Sequence, residues 1–279
     1  MNIVLFCLKN FQEYILDNIQ QLINLGHTNI YVITNKCFNT YFSQFETQII
    51  LVDPNELDES YHFIEKTTLD KTFRNGFWAL TSLRFFYIYE FMKKYEITDV
   101  VHIENDVLLY HNCDKLMDKF DKNYMYIPFD TFQRNIASIM YIPNSEVFKR
   151  IMDGYDFNKN DMENFSNIKK NTGLIQNLPI FTEQNAITKE EKFVSENFAT
   201  FSCIFDAAAI GQYLGGIDPK NDPNDTTGFV NETCVIKYNR FRIWFEECET
   251  GKKPYILING TKYEIFNLHI HCKNLKKFM

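Results

Sequence analysis

The sequence predicts an α/β fold with a mainly parallel central sheet flanked by helices, and three observations carry that reading. Short apolar runs recur through the N-terminal part of the chain: Ile3–Leu8, Ile30–Thr34, Ile49–Val52 and Val100–Ile103. Longer stretches with apolar residues at helical spacing lie between some of them, and that alternation marks parallel strands with covering helices. Chain breakers such as Gly26 and Asp53-Pro54 fall where the runs end.

Taken in order, Ile3–Leu8 is the first strand. Phe11–Leu25 follows as a helix, with Ile15, Ile19, Leu22 and Ile23 at helical spacing and Gly26 as its terminator. Ile30–Thr34 and Ile49–Val52 are buried strands. Phe77–Tyr95 is a long helix, apolar on nearly every side and therefore buried. Val100–Ile103 is the next strand. Tyr124–Phe129 and Ile136–Ile142 read as strands, and Ser145 as the cap of a short helix ending near Gly154. Asp156–Glu196 is polar and rich in Asn and Lys, the composition of an insertion or lid. Phe201–Phe205 restores order, and Ala207–Leu214 reads as a helix of small residues closed by Gly215-Gly216. Tyr255–Cys272 reads as two strands joined by the Asn259-Gly260 turn. With no repeat and no linker, 1–279 is expected to be one domain, with halves 1–112 and 113–279.

Composition narrows the function classes. Hydrophobic residues at 45% and charged residues at 23% are those of a globular protein. The 27 Phe and 16 Tyr are read chiefly as core. Net charge is −7, and the one basic run is the short Lys273–Lys277 stretch, which argues against nucleic acid as a partner. No stretch approaches the ~18–20 apolar residues that span a bilayer, so no transmembrane segment is expected. The seven cysteines are scattered with no C-x-x-C pair, which speaks against a disulfide framework or a cysteine zinc site. With a strand-like rather than signal-like N-terminus, a cytoplasmic location is expected.

Four constellations could carry chemistry. Val100–Ile103 runs into Glu104-Asn105-Asp106, two carboxylates at i and i+2 at the carboxyl end of a strand. Ligands bind at such strand ends in open α/β sheets. Carboxylates two apart in an extended segment converge, as a hard divalent cation requires. Arg84 is a charge inside an apolar helix and must be paired. Glu90 or Asp99 would make the pairing structural, whereas the acidic cluster or a diphosphate would make it functional. Arg74 and Trp78 are weaker candidates nearby. Asp206, before the run of small residues, suits a helix N-cap. In the segment Asn267–Lys277, His269 and His271 alternate with Leu268 and Ile270 and share one strand face. Lysines follow them.

The strand ending in Glu-Asn-Asp resembles the DxD motif of nucleotide-diphospho-sugar (GT-A) glycosyltransferases, with Glu in the first place. The resemblance implies a single GT-A-like domain that transfers a hexose from a nucleotide-diphospho-sugar to a carbohydrate or other hydroxyl acceptor. A UDP-sugar is the expected donor and Mn²⁺ or Mg²⁺ the expected cofactor. Asp106 would be the direct metal ligand, Glu104 would contact metal, ribose or sugar, and Asn105 would lie in the donor site. Leu8, Asn35 and Asp53 would line the base and ribose, although Asn35 at a strand end is equally a turn former. Asp206 would act as acceptor base or face the donor sugar, and Gln212 would hold a sugar hydroxyl. The polar stretch Asp156–Glu196 would be an acceptor-side insertion. The tail is similar to the His-and-Lys segment of retaining enzymes of the glycogenin type, which implies His271 or His269 in the metal shell and Lys277 or Lys273 on the diphosphate. The Gly and Pro-Trp of that pattern are absent, and the anomeric outcome stays open. A sugar-1-phosphate nucleotidyltransferase is the alternative enzyme, but Asn10-Phe11-Gln12-Glu13 is unlike the glycine-rich loop such enzymes carry. A non-catalytic nucleotide-sugar-binding protein of the same fold is the other alternative.

Overall fold

The computed structural model describes residues 1–73, 76–216, 231–249 and 251–279. Its strands are β1 (Asn2–Cys7), β2 (Ile30–Thr34), β3 (Ile49–Val52), β4 (Val100–Ile103), β5 (Val107–Leu109), β6 (Met125–Pro128), β7 (Ile139–Ile142), β8 (Ile175–Leu178), β9 (Arg242–Cys248), β10 (Gly251–Ile258), β11 (Thr261–Glu264) and β12 (Asn267–His269). Its helices are α1 (Tyr14–Asn24), α2 (Phe63–Lys66), α3 (Phe77–Lys94), α4 (Ser145–Met152), α5 (Asp161–Thr172), α6 (Lys189–Val194) and α7 (Phe198–Phe201). The central sheet has the order β3-β2-β1-β4-β7-β6-β8. β1 runs parallel to β2 and β4, β2 to β3, and β6 to β8, while β7 is antiparallel to both its neighbours. The expected mainly parallel α/β sheet is therefore observed.

Alternation along β1 sets the two faces. Ile3, Leu5 and Cys7 join Ile15, Ile19 and Leu22 of α1 in one apolar cluster, while Val4 belongs to another with Phe85, Phe86 and Phe91 of α3. Burying each such side chain stabilises the fold by about 1.5–3 kcal/mol. Because β1 to β4 run the same way, their carboxyl ends line one edge of the sheet. β5 and β12 pair antiparallel beside that edge, and β9-β10-β11 form a separate antiparallel sheet. Among the described residues no helix is long and apolar enough to cross a membrane.

Several expectations require correction. Asp156–Glu196 is no insertion: it supplies α5, α6 and β8, the edge strand of the central sheet. Its polar look comes from asparagines that serve the backbone. Buried Asn164 donates to the carbonyls of Asp156, Lys159 and Asn160, and buried Asn177 to that of Phe193. Ala207–Leu214 is a bent loop with one 3-10 turn, Gly211–Tyr213, and Phe201–Phe205 contains the end of α7 and a single bridge from Ile204 to Ile265. Asn144 caps α4 by accepting from Val147 N at 2.9 Å, so Ser145 is the first helical residue. The Asn259-Gly260 hairpin joins β10 to β11 as expected, and β12 is an additional strand after it.

Candidate active site

Glu104 to Val107 form a tight turn between β4 and β5, closed by Val107 N donating to Glu104 O at 3.0 Å. The two carboxylates thus converge through a turn and not through the extended alternation expected. The turn is held from behind by α1. Asn18 Nδ2 donates to the carbonyls of Glu104, Asn105 and Val107 at 3.3, 3.0 and 3.0 Å. Asn105 points the other way, donating to Phe6 O and Gln12 Oε1 at the end of β1.

The pairing of β12 with β5 brings the tail to this turn. His269 sits opposite Val107, and Ile270 N donates to Asp106 O at 2.8 Å. His269 Nε2 lies 3.0 Å from Asp106 Oδ2, its Nδ1 lies 3.7 Å from Glu104 Oε2, and Lys273 Nζ donates to the same Asp106 oxygen. Among the described residues, one ligand atom each from Glu104, Asp106 and His269 fall within 4.8 Å of one another. Two carboxylates and an imidazole are a donor set that suits a divalent cation such as Mn²⁺. Among the described residues, His269 Nδ1 is moreover buried without a hydrogen-bond partner.

The electrostatics follow from burial and charge. Burial alone would raise the Asp106 carboxyl, but His269 and Lys273 outweigh it and hold it well below the usual carboxylate range. Burial opposes charge on His269, and the Asp106 and Glu104 carboxylates overcome that and raise the imidazole. His271 lies outside the converging trio, its ring 4.9 Å from that of His269. Burial, then the neighbouring His269, pushes it down to about 3.

Arg84 pairs with Glu104 Oε1, and its other nitrogen lies 3.7 Å from buried Asp161 and 3.3 Å from Ala137 O. Its partner is therefore the acidic motif together with Asp161, not Glu90 or Asp99. Beside it Asn135 Nδ2 donates to Asp161 O at 3.2 Å. Arg84 Nε, Asn135 Oδ1 and Ser138 Oγ are buried and unpartnered among the described residues. Arg74 lies outside the described residues.

Leu8, Asn35 and Asp53 follow the carboxyl ends of β1, β2 and β3, on the same sheet edge as the acidic turn. Asn35 Oδ1 accepts from Lys9 N at 2.9 Å, and Asp53 accepts from Asn55 N and pairs with Lys36 at 3.2 Å. Asn55, then Lys36, hold the Asp53 carboxyl below its ordinary value against the effect of burial.

Asp206 is fully buried. Its Oδ1 accepts from Ala209 N and Ile210 N at 2.7 and 2.8 Å, and its Oδ2 from Gly211 N and His269 N at 2.9 Å each. Four backbone donors on two oxygens describe an anchor for the loop and for β12; the residue pattern suggests a helix N-cap, and the acceptor-base role is what the family resemblance implies. Gln212 is likewise engaged, donating to Ala209 O at 3.0 Å and accepting from Asn231 N. Lys273, and not Lys277, pairs with Asp106 among the described residues; Lys277 is exposed in the terminal 3-10 turn.

Asn18, Gln12 and Asp161 were not visible as site residues in the sequence. One signal for Asn18 existed: it is a polar residue within the buried stripe Ile15, Ile19, Leu22 of α1.

No family model matches the chain, and no curated protein does. Three solved structures illustrate what it resembles. The apo form of mouse xyloside xylosyltransferase 1 is 9% identical with a TM-score of 0.45, over 64% of this chain and 84% of that one. The galactosyltransferase LgtC, in complex with donor and acceptor sugar analogues, is 13% identical with a TM-score of 0.41, over 64% and 73%. A cytidylyltransferase from Leptospira borgpetersenii is 10% identical with a TM-score of 0.40, over 68% and 76%.

Proposed function

We propose that this chain is a metal-dependent glycosyltransferase that takes a hexose from a nucleotide-diphospho-sugar, a UDP-sugar first among them, and passes it to a hydroxyl acceptor. The observation that carries this reading is the convergence of Glu104, Asp106, His269 and Lys273 at the carboxyl edge of a mainly parallel sheet. Carboxylates and imidazole suit a divalent cation, and a lysine beside them suits phosphate oxygens.

In this reading Asp106 and His269 hold the cation, and Glu104, with one oxygen taken by Arg84, offers it the other. When bound, the cation supplies positive charge against the diphosphate leaving group. Lys273 meets the diphosphate, and Leu8, Asn35 and Asp53 border the nucleoside along the same edge. The acceptor oxygen bonds to the anomeric carbon, the bond from that carbon to the diphosphate breaks with its electron pair, and the hydroxyl proton is released. Asp206 contributes by bolting the backbone of His269 in place.

The test is calorimetry with Mn²⁺ and UDP, followed by a screen of UDP-, GDP- and dTDP-sugars for slow hydrolysis with Mn²⁺ present. Metal-dependent UDP binding and release of free sugar are expected. No Mn²⁺-dependent UDP binding together with no hydrolysis of any of the three sugar nucleotides sinks the reading; binding without turnover leaves a nucleotide-sugar-binding protein.

A further inference from the structure

Asp106 Oδ2 has two cationic neighbours from the same short segment. His269 Nε2 stands 3.0 Å away, and Lys273 Nζ donates to the identical oxygen. His269 is fixed: its backbone N–H is held by Asp206 and it ends β12. Lys273 is held at its backbone, where its N–H donates to Ile270 O at 3.1 Å, but its ammonium sits at the end of a long stem beside Asp106 and 5.8 Å from the Tyr14 ring. It follows the strand in a turn, with backbone φ at 59°, its side chain is about a fifth exposed, and a four-carbon stem carries its ammonium. One cation on Asp106 is therefore bolted and the other can swing.

We propose that Lys273 is a resident counter-cation which leaves Asp106 as a divalent cation and a diphosphate bind together, so that each ligand strengthens the binding of the other. The proposal rests on the metal–diphosphate reading above. A divalent ion on Asp106 must share a carboxylate oxygen already neutralised by an ammonium, and it repels that ammonium. Alone, it binds against that competition. A diphosphate gives the ammonium another anionic partner within reach of its stem, which relieves the competition at Asp106. Such coupling is reciprocal: the factor by which UDP improves metal binding equals the factor by which metal improves UDP binding. The same lysine that assists the nucleotide thus holds the metal affinity of the nucleotide-free protein down.

The two effects have opposite signs in one variant. Lys273→Met keeps an unbranched side chain at the left-handed position and removes only the ammonium. Titrating Mn²⁺ into the nucleotide-free protein, this variant should bind the ion about tenfold more tightly than wild type. The factor by which UDP improves Mn²⁺ binding should shrink by about the same amount. Lys273→Arg, which keeps the charge, should stay near wild type. Lys276→Met is the control for overall charge, because Lys276 is exposed and pairs with Asp17 at 3.5 Å; it should leave Mn²⁺ binding unmoved. The coupling is overturned if Lys273→Met binds Mn²⁺ no more tightly than wild type, or if Lys276→Met tightens it equally. A wild-type protein that takes up neither Mn²⁺ nor UDP and hydrolyses none of the sugar nucleotides screened above overturns the functional reading as well, so the two failures are told apart.

Discussion

The two loops that meet at His269 are built inside out relative to each other. In the acidic turn, 104–107, carbonyls face inward onto one donor, the side-chain amide of Asn18. In the loop after Ile204, residues 209–211 turn N–H groups inward onto one acceptor, the carboxylate of Asp206. Each loop spends one buried polar side chain on its own backbone. In the first that side chain belongs to a neighbouring helix, which leaves the turn's own carboxylates to face His269, Arg84 and Lys273. In the second the loop's own carboxylate is consumed. Two buried aspartates in one chain therefore differ in kind. Asp106 meets side-chain cations, whereas Asp206 meets main-chain donors that cannot be given up without unfolding the loop.

The comparison breaks first at Asp106. Asp106→Ala should lower Mn²⁺-dependent UDP binding by more than about 100-fold, beyond the loss typical of residues that only support a ligand. The variant also leaves His269 and Lys273 without their carboxylate, and breaking a buried pair from one side costs about 3–5 kcal/mol, so UDP binding is compared at a temperature where the variant is still folded. Calorimetry beside a thermal melt decides: unchanged UDP binding with Mn²⁺ would show that Asp106 is no ligand.

Gly211→Ala attacks the other loop. A Cβ at this position would stand 1.9 Å from His269 O and 3.2 Å from Asp206 Oδ2, and the first contact is backbone. The loop or β12 must move. Stability should fall by about 3 kcal/mol or more, and Mn²⁺ affinity by ~10–100-fold as His269 is displaced. A variant that melts with wild type would mean that the loop does not pack on β12 in this way.

Asp206→Asn sharpens the contrast between anchor and base. The amide keeps one acceptor oxygen but turns an NH₂ toward backbone donors. A stability loss of roughly 2–3 kcal/mol is expected for hydrogen bonds to a buried charge. A general base would give another signature: a fall of ~10²–10⁴ in rate with the melt unmoved. Folding loss with near-normal turnover of the surviving protein supports the anchor; the reverse pattern restores the base.

How much of this was legible depends on the range of the interactions. β2, β3 and β4 coincide with the apolar runs read from the sequence, and α3 ends one residue early, because each is specified by its own buried pattern. Glu104, Asp106, His269 and Lys273 could be singled out since each belongs to a short local motif. Seeing that His269 rather than His271, and Lys273 rather than Lys277, lies against Asp106 needed the register of β12 on β5, which joins segments about 160 residues apart. β8 was hidden for a different reason. Its segment looks polar because its asparagines bond to backbone, so burial and hydrophobicity part company there. The small residues after Asp206 suggested a helix from composition alone. The carboxylate collects the N–H groups of Ala209, Ile210 and Gly211, and a bent loop results.

The smallest expected effect lies at Asn18, on the back of the acidic turn. Its amide nitrogen serves three carbonyls of the turn across 86 to 89 residues of sequence. Asn18→Ala leaves those carbonyls without this donor, which costs in the range of ~1–3 kcal/mol. Two features reduce that figure. Among the described residues Asn18 Oδ1 is itself buried without a partner, so truncation also removes a badly solvated acceptor, and the turn keeps its own Val107 N to Glu104 O bond. A net loss of about 1 kcal/mol is therefore expected, together with a fall in Mn²⁺ affinity of no more than ~10-fold, at the weak end for a supporting residue. The direction matters more than the size. If Asn18 holds the turn in the shape that lets Glu104 and Asp106 converge, added Mn²⁺ with UDP should recover part of the lost melting temperature, since ligand binding to the folded state stabilises by mass action. If the variant melts early and saturating Mn²⁺ with UDP restores nothing, while wild type is stabilised under the same conditions, then Asn18 serves the core of α1 alone and the acidic turn keeps its shape by other means.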